Sequence, residues 1–447
     1  MTEAAPCLAL TTRGLDEVMF WRGSTPIRGA RFLGDVAALA ARLPDRPHAL
    51  NLCRDRYHFL VAFAAALLRG QTSLLTSDRG AHRLRELSAR YPDLYALSEA
   101  DAAPPGLAQV TVADDATAPE WQGSAPAIPG ERIAAHVFTS GSTGEPVANA
   151  KPWQALVACT EAAAERFGWT GAPCHAVVAT VPPQHMYGFE TTVLMPLHSK
   201  VASYAGDTFY PPDLREALRH VAAPRVLVTT PLQLRALLAD GAAMAAIDAI
   251  ISATAPLPAE TALQAERAWH TRVFEIFGAT EMGSIASRRT TAGDVWETYR
   301  SVTLRATGDG VAAAVQHLPG PVAMSDTVEL LAADQFRLLG RKSDLVKIAG
   351  KRASLAGLNK LLNEIAGVED GVFVVPDDLD RNPVARLMVY VVAPSRSASD
   401  IMEALRQRVE APFLPRRVVM VSALPRNSVG KLPMSALAEL QRRVGES

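Results

Sequence analysis

The strongest local signal in the chain is the stretch Val137-Phe138-Thr139-Ser140-Gly141-Ser142-Thr143-Gly144-Glu145-Pro146. A β-like run, 133–138, enters this stretch, and an Ala-rich helical run, 154–167, follows it. Its glycines allow backbone N–H groups to approach an anion closely, and its hydroxyls add further donors. The stretch therefore predicts a loop that cradles the phosphates of a nucleotide, with a plain Ser/Gly linker as the alternative. It is not a Walker A loop, because no Gly-Lys-Ser/Thr closes it.

Around this loop, apolar β-branched runs alternate with runs rich in Ala, Leu, Arg and Glu. The runs typical of buried strands are 176–181, 225–230 and 273–277. Those typical of helices are 211–221, 231–245 and 258–270. This alternation predicts an α/β fold with a largely parallel, buried sheet. The Ala-, Pro- and Gly-rich segment 101–130 is interpreted as an exposed connector or hairpin.

A change of pattern near residue 340 predicts a domain boundary. From there on, a helix face of leucines, two strand-like runs (372–375 and 387–392) and a second helix, 401–409, indicate an α+β module. This part carries 17 Lys and Arg against 12 Asp and Glu, a net charge of +5, whereas the preceding part carries −6. We therefore expect a large N-terminal multi-sheet α/β domain over residues 1–339 and a small C-terminal α+β domain over 340–447.

Composition excludes several classes of function. The net charge of −1 argues against bulk nucleic-acid binding, which needs a basic face. The longest apolar run, 59–68, is about half of what a membrane span requires. The first residues lack the basic and apolar regions of a signal peptide, and the four cysteines form no CxxC pair, so we expect a cytoplasmic protein with reduced thiols. The ten histidines show no metal-ligand spacing.

Three further segments carry candidate chemistry. Phe277-Gly278-Ala279-Thr280-Glu281 places an aromatic ring, a hydroxyl and a carboxylate at the end of a strand, although a buried aromatic before a turn is a common arrangement. The basic segment 340–352 is either a binding element or a solvated linker. The Pro- and Gly-rich segment 424–433 presents Lys431, which alone would be interpreted as an exposed loop lysine.

Taken in order and spacing, these four segments resemble the adenylate-forming superfamily of acyl-CoA synthetases, peptide-synthetase adenylation domains and luciferases. The resemblance covers nearly the whole chain from about residue 130. It implies a two-domain fold whose small C-terminal domain is mobile. It also implies a reaction in which a carboxylic acid and ATP give an acyl-adenylate and pyrophosphate, after which a phosphopantetheine thiol takes the acyl group. ATP and Mg²⁺ are the implied cosubstrate and metal.

The resemblance implies a role for each matching residue at the nucleotide. The phosphates would be held by Thr139, Ser140, Gly141, Ser142, Thr143 and Gly144. Thr280 would touch the α-phosphate, and Glu281 would hold Mg²⁺. The adenine would lie between Phe277-Gly278 and Ala253-Thr254, and Asp326 with Arg341 would bind the ribose. Lys431 would bridge the substrate carboxylate and the α-phosphate, while Lys151 would replace the loop lysine that the family carries where this chain has Val147.

Other matching residues concern the acid and the thiol. His185 would gate the acyl pocket, with a satisfied core histidine as the alternative. The pocket would further be lined by Tyr187, Thr254 and Gly278. Ser343 lies at the position of the family's hinge residue, and Gly350 matches the glycine beside the thiol tunnel.

The compact chain, with its Lys151-Pro152-Trp153 segment, resembles the ligases of aryl polyene and xanthomonadin pigment clusters, which load a hydroxybenzoate-like acid onto an acyl carrier protein. An acidic carrier protein would suit the basic C-terminal module, where Arg416-Arg417 and Arg442-Arg443 are candidate contacts. An acyl- or aryl-CoA synthetase using free CoA is the alternative. Two other classes are a phosphotransferase or NTPase, which the missing Walker lysine disfavours, and a non-catalytic nucleotide or acyl sensor.

Overall fold

The computed structural model describes residues 6–76, 78–99, 106–140, 146–308, 310–341, 345–348, 351–376, 386–427, 430 and 432–445. The chain divides into two compact units. Unit 1 comprises Met1–Ala292, Thr298–Val302 and Val315–Gly320, and unit 2 comprises Gly293–Glu297, Thr303–Ala314 and Pro321–Ser447. The boundary expected at residues 339 and 340 stays a prediction.

Two sheets with mostly parallel strands form the framework of unit 1. The six-stranded sheet follows the order β10-β9-β5-β4-β6-β7, and the larger sheet runs β16-β15-β14-β13-β11-β12-β2-β3. The antiparallel pairs are β9 with β10, β15 with β16, β2 with β3, and the small pair β1 with β8. The strands are β1 (Cys7–Ala9), β2 (Val18–Arg22), β3 (Thr25–Arg28), β4 (His48–Asn51), β5 (Thr72–Leu75), β6 (Tyr95–Ser98), β7 (Ala108–Thr111), β8 (Ala127–Pro129), β9 (Ile133–Ser140), β10 (Pro146–Pro152), β11 (His175–Ala179), β12 (Val201–Tyr204), β13 (Arg225–Thr229), β14 (Ala249–Ser252), β15 (Arg272–Ala279) and β16 (Gly283–Arg289).

Helices connect these strands. They are α1 (Gly29–Ala40), α2 (Arg56–Leu68), α3 (Ala81–Arg90), α4 (Trp153–Phe167), α5 (Met186–Gly188), α6 (Met195–His198), α7 (Pro211–His220), α8 (Pro231–Asp240) and α9 (Ala259–Trp269), with a π-helix at Phe189–Leu194 between α5 and α6. Local chemistry explains several starts: Asp55 caps α2 by accepting the N–H of His58, and Thr230 caps α8 just before a proline at its first position.

Helix α2 explains the longest apolar run in the sequence. It contacts β4 and β5 of the six-stranded sheet and β12 of the larger sheet, so it is covered on more than one side. Phe59, Leu60 and Phe63 are fully buried. A helix that is apolar all round is expected at the centre of a large core, and here it lies between two sheets. Among the described residues, no helix is long and apolar enough to cross a membrane.

Unit 2 is built from smaller sheets, which are antiparallel except for the parallel pair of β26 with β27, and its described residues include three α-helices. Strand β22 pairs with β17 and β21, β19 pairs with β20, β23 pairs with β24, and β26 lies between β25 and β27. The elements are β17 (Val295–Thr298), β18 (Val302–Thr307), β19 (Gly310–Val315), β20 (Val322–Ala323), β21 (Asp326–Ala332), β22 (Gln335–Arg341), β23 (Leu345–Ile348), β24 (Lys351–Ser354), β25 (Asp370–Val374), β26 (Met388–Val392), β27 (Arg417–Met420), α10 (Leu355–Asn363), α11 (Ala398–Arg406) and α12 (Met434–Gly445).

The α/β prediction is confirmed, and the expected strands and helices lie within about three residues of their predicted bounds, except that the helix predicted over 231–245 ends at Asp240, before Gly241 with its φ of +65°. Two local expectations differ from the structure. The described part of segment 101–130 is not a hairpin: β7 adds in parallel to β6, and β8 pairs with β1. The phosphate loop is not followed directly by a helix, because β10 returns antiparallel along β9 before α4 begins.

Candidate active site

The predicted adenine and acyl residues of unit 1 lie at the carboxyl edge of the larger sheet. Strands β11, β13, β14 and β15 are parallel neighbours, so their carboxyl ends share one edge. His185 follows β11, Thr254 follows β14, and Phe277 lies near the end of β15. In open α/β sheets, ligands bind outside the carboxyl ends of the strands, so the topology brings these separate motifs to one place.

The phosphate-loop motif is the connection of a hairpin. Ser140 at the end of β9 lies opposite Pro146 at the start of β10, and Thr139 lies opposite Val147. Gly141, Ser142, Thr143 and Gly144 lie outside the described residues. Because β10 runs antiparallel to β9, Lys151 near the end of β10 lies opposite Ala135 near the start of β9. Lys151 is only 5% exposed there.

A tight hairpin between β15 and β16 carries Thr280 and Glu281. The N–H of Met282 donates to the carbonyl of Ala279 at 3.1 Å and closes the turn. Gly278 is required here, because a Cβ at this position would lie 2.3 Å from the carbonyl oxygen of Gly283. The turn leaves Thr280 half-buried and Glu281 exposed, so the Glu281 carboxylate is accessible to a cation.

Lys151 joins the two hairpins of the site. Its ammonium donates to the main-chain carbonyl of Glu281 at 2.9 Å. Burial lowers the pKa of Lys151, while the nearby carboxylate of Glu190 acts in the opposite direction. The Lys151 ammonium therefore contacts the turn through the main chain of Glu281 and not through the Glu281 carboxylate.

Glu190 provides the buried negative charge. It is 7% exposed, and its Oε1 accepts the N–H of Ser284 at 3.0 Å and the thiol of Cys159 at 3.2 Å. Burial raises the pKa of Glu190, and these donors together with Lys151 offset only part of that rise. Burial also raises the pKa of the Cys159 thiol, as does the adjacent Glu190 carboxylate.

Thr254 has an unusual backbone conformation. Its φ is +81°, in the left-handed region that a β-branched residue rarely adopts. The loop that carries it is tied down three residues later, where the N–H of Leu257 donates to Oε1 of the buried Glu275 at 2.9 Å. The other carboxylate oxygen of Glu275 pairs with Arg288 at 2.5 Å. Strained residues persist where surrounding contacts determine the backbone, and they concentrate at binding sites.

The two predicted acyl-pocket residues that follow β11 differ in their exposure. His185 is half-buried and caps α5, its Nδ1 accepting the N–H of Tyr187 at 3.3 Å. Tyr187 is buried, and its hydroxyl lies 2.8 Å from the carbonyl oxygen of Ile251 and 3.2 Å from that of Thr229. Its hydroxyl is therefore used to join the ends of β13 and β14.

The predicted ribose residues belong to unit 2. Asp326 at the start of β21 and Arg341 at the end of β22 are direct cross-strand partners in an antiparallel pair. A strand pairing thus brings together two residues that are fifteen positions apart in the sequence. Ser343, Gly350 and Lys431 lie outside the described residues.

The motifs did not identify two buried carboxylates, those of Glu190 and Glu275. Glu190 accepts the main-chain N–H of Ser284, close to Glu281, and Glu275 accepts that of Leu257, close to Thr254. A signal for Glu190 was present, since it is the one acidic residue in the apolar segment 186–197. A charge at such a position is seldom buried without partners.

Comparison with known proteins identifies the family to which these features belong. A family model described as AMP-binding enzyme matches residues 44–315. A 4-coumarate–CoA ligase of Rhodobacter capsulatus is 28% identical over 304 residues, which cover 66% of this chain and 73% of that protein. A 4-coumarate–CoA ligase of Halorhodospira halophila is 29% identical over 312 residues, with the same coverage.

Solved structures show the same fold at low sequence identity. ATP-bound MatB from Rhodopseudomonas palustris has a TM-score of 0.79 at 18% identity, with 96% of each chain covered. The anthranilate CoA ligase AuaEII in complex with anthranoyl-AMP has a TM-score of 0.80 at 13% identity, covering 98% of this chain and 99% of the other.

Proposed function

The chain belongs to the AMP-binding enzyme family, and from this membership we propose that it activates an aromatic carboxylic acid and transfers it to the phosphopantetheine thiol of an acyl carrier protein. The general activity is that of an AMP-forming acid–thiol ligase that adenylates its acid with ATP. The acid, the acceptor and the residue roles below are the proposed part. The arrangement at the carboxyl sheet edge, where Lys151 supports the turn of Glu281, is the observation that carries the residue assignment.

Adenylation brings two anions together, because a carboxylate attacks the α-phosphate of ATP. The Lys431 ammonium between them would stabilise the charge on the transferring group, and Thr280 would donate to the α-phosphate. The hydroxyls and amides of 139–144 would hold the outgoing pyrophosphate. The exposed Glu281 carboxylate suits Mg²⁺, which prefers oxygen ligands and neutralises phosphate charge when bound.

Support for an aromatic acid comes from two directions. The relatives named 4-coumarate–CoA ligase and the fold neighbour named anthranilate CoA ligase are named for aromatic acids. The half-buried His185 and Thr254, with the exposed Gly278, lie at one edge of the sheet in unit 1. The buried Tyr187 places its hydroxyl at the ends of β13 and β14 of the same sheet. This combination of rings and small polar groups suits a planar acid, with a hydroxybenzoate as the first candidate.

Support for a carrier protein comes from charge. The C-terminal region from residue 340 carries a net charge of +5, and Arg416, Arg417 and Arg442 are exposed. An acidic carrier protein would be steered towards such a surface. Free CoA is the second candidate acceptor, since its phosphates are also anionic and the curated relatives are named for CoA.

The test is pyrophosphate release with ATP and a panel of benzoates, cinnamates and fatty acids, followed by mass analysis of the acceptor. A hydroxybenzoate is expected to give the highest kcat/KM, and holo-carrier protein is expected to gain the mass of the acyl group. Acylation of free CoA alone would overturn the carrier-protein assignment. Binding of ATP and acid without pyrophosphate release would indicate a sensor, and ADP or orthophosphate as product would indicate a phosphotransferase.

A further inference from the structure

The hairpin turn of Thr280 and Glu281 is held from beneath by buried side chains of the same unit. On one side, the Lys151 ammonium donates to the carbonyl of Glu281 at 2.9 Å. On the other side, the N–H of Ser284 donates to Oε1 of Glu190 at 3.0 Å. A lysine and a glutamate therefore bind the main chain at the two ends of the four-residue segment 281–284.

Glu190 lies on the π-helix at Phe189–Leu194 and approaches the turn from the interior of unit 1. Besides Ser284, its Oε1 accepts the thiol of Cys159, a residue of α4 that is 4% exposed. The sulfur of Cys159 also lies 3.8 Å from the carbonyl oxygen of Ser284. The carboxylate and the thiol therefore contact the main-chain N–H and the main-chain carbonyl of Ser284, the second residue of β16.

Gly283 shows how closely this support fits. It has a φ of +78°, and a Cβ there would lie 2.6 Å from Oε1 of Glu190 and 2.8 Å from the sulfur of Cys159. The two side chains occupy the space that a residue other than glycine would fill. The main chain of the turn consequently rests directly on the carboxylate.

Keeping a carboxylate in the interior is costly unless it is hydrogen-bonded and its charge is balanced. Here the donors are the turn amide and a thiol that also contacts the turn, and the nearby cation is Lys151, which binds the turn as well. A charged acceptor binds an amide more strongly than a neutral one does. The arrangement thus uses buried charge to fix the main chain at the predicted catalytic turn.

We propose that Glu190 is a positioning residue that, with Cys159 and Lys151, sets the position of Thr280 and Glu281. This proposal rests on the proposed function, from which those two residues take their roles. Glu190 itself touches no substrate and acts through the main chain of the turn. Since a displacement of about 1 Å can cost about 100-fold in rate, loss of this support affects chemistry more than binding.

The test compares Glu190→Gln with Thr192→Val. Thr192 is a matched control because it is fully buried on the same π-helix, and its hydroxyl donates to the carbonyl of Gly188 in the preceding turn at 2.7 Å. Hydrogen–deuterium exchange of the ligand-free protein is followed in peptides covering 279–289. Pyrophosphate exchange gives kcat, the KM values for ATP and acid, and the Mg²⁺ concentration at half-maximal rate.

For Glu190→Gln we expect faster exchange of the turn amides, a kcat lowered about 10-fold or more, KM values within about threefold, and a several-fold higher Mg²⁺ requirement. Thr192→Val is expected to match the parent in amide exchange, kcat, KM values and Mg²⁺ requirement. Unchanged turn exchange together with unchanged kcat in folded Glu190→Gln would overturn the proposal, as would equal changes in the control.

Should Glu190→Gln not fold, Cys159→Ala takes its place, because it removes one of the two donors and leaves the bond to Ser284. Cys159→Ala is then expected to show the same changes in amide exchange, kcat and Mg²⁺ requirement, but smaller ones. Amide exchange and kcat equal to those of the parent would overturn the proposal. A parent protein that releases no pyrophosphate with any acid would contradict the proposed function instead. In that case the exchange of the turn amides still decides whether Glu190 holds the turn.

Discussion

Asp326 and Arg341 lie directly opposite each other on the antiparallel strands β21 and β22. Cross-strand partners have Cα atoms about 5 Å apart, so the strand pairing brings the main chains of both residues close together. This pairing makes a shared role at the ATP ribose physically reasonable. The strands alone bring the two residues together, whichever conformation unit 2 takes.

We predict that Asp326→Ala and Arg341→Ala each raise the KM for ATP about 10-fold or more, because each removes a charge-assisted hydrogen bond. The double variant should lose less than the product of the two single effects, since both residues serve the same group. Isothermal titration with ATP and the KM for ATP measure this. Fully multiplicative losses would show that the two residues act at separate places.

Lys431 gives a prediction about two half-reactions. Lys431→Ala should lower acyl-adenylate formation by about 100-fold or more, because an ammonium between two anions stabilises the transferring phosphoryl group. Thiolation of a preformed acyl-adenylate should stay within about threefold. The control is Lys360→Ala, which changes an exposed lysine of the same region that lies 4.0 Å from the carboxylate of Glu364. Normal pyrophosphate exchange in Lys431→Ala would remove the assignment.

The sequence predicts the framework of the site because that framework depends on local signals. Buried strands such as β13 and helices such as α9 appear as apolar runs and amphipathic runs, and motifs at strand ends meet wherever parallel strands share an edge. Strand β10 was missed, since Pro146–Pro152 mixes Ala, Asn and Lys without a strong pattern.

The buried contacts that hold the main chain of the site could not be predicted in the same way. Glu190 and Ser284 are 94 residues apart, and nothing local indicates that one binds the amide of the other. The φ of Thr254 is likewise imposed by the fold, because its loop is anchored at Leu257 by Glu275. Contacts of this kind depend on tertiary packing, which periodicity and motifs do not encode.

The left-handed backbone of Thr254 predicts that glycine at this position gives a more stable protein than alanine does. A β-branched residue in the left-handed region costs about 1–2 kcal/mol relative to glycine. Thr254→Gly and Thr254→Ala both remove the side-chain hydroxyl, so their difference isolates the backbone effect. We expect the glycine variant to be more stable by about 1 kcal/mol in urea unfolding. Equal stabilities would show that the loop relaxes around alanine.

The close packing at Gly278 predicts that a larger residue there lowers both stability and activity. A methyl group at this position would lie 2.3 Å from the main-chain oxygen of Gly283, and a backbone atom cannot yield as a flexible side chain does. Gly278→Ala should therefore destabilise the protein by about 2 kcal/mol and displace the turn, lowering kcat for adenylation at least 10-fold. Gly171→Ala is the control, because nothing lies within 4 Å of its added Cβ. A parent-like kcat in Gly278→Ala would contradict the close approach.

His198 predicts how stability changes with pH. It is 6% exposed against the ring of Trp153, and burial lowers its pKa to about 4 from the ordinary 6.5. A base whose folded pKa is depressed binds its proton more readily in the unfolded chain, so stability is full above pH 6.5 and is lost as the pH falls towards 4. Between about pH 7.5 and 5, the parent should therefore lose about 2 kcal/mol more than His198→Gln, which cannot titrate. Urea unfolding at half-unit pH steps measures the difference, and parallel pH profiles for the two proteins would contradict a neutral, buried His198.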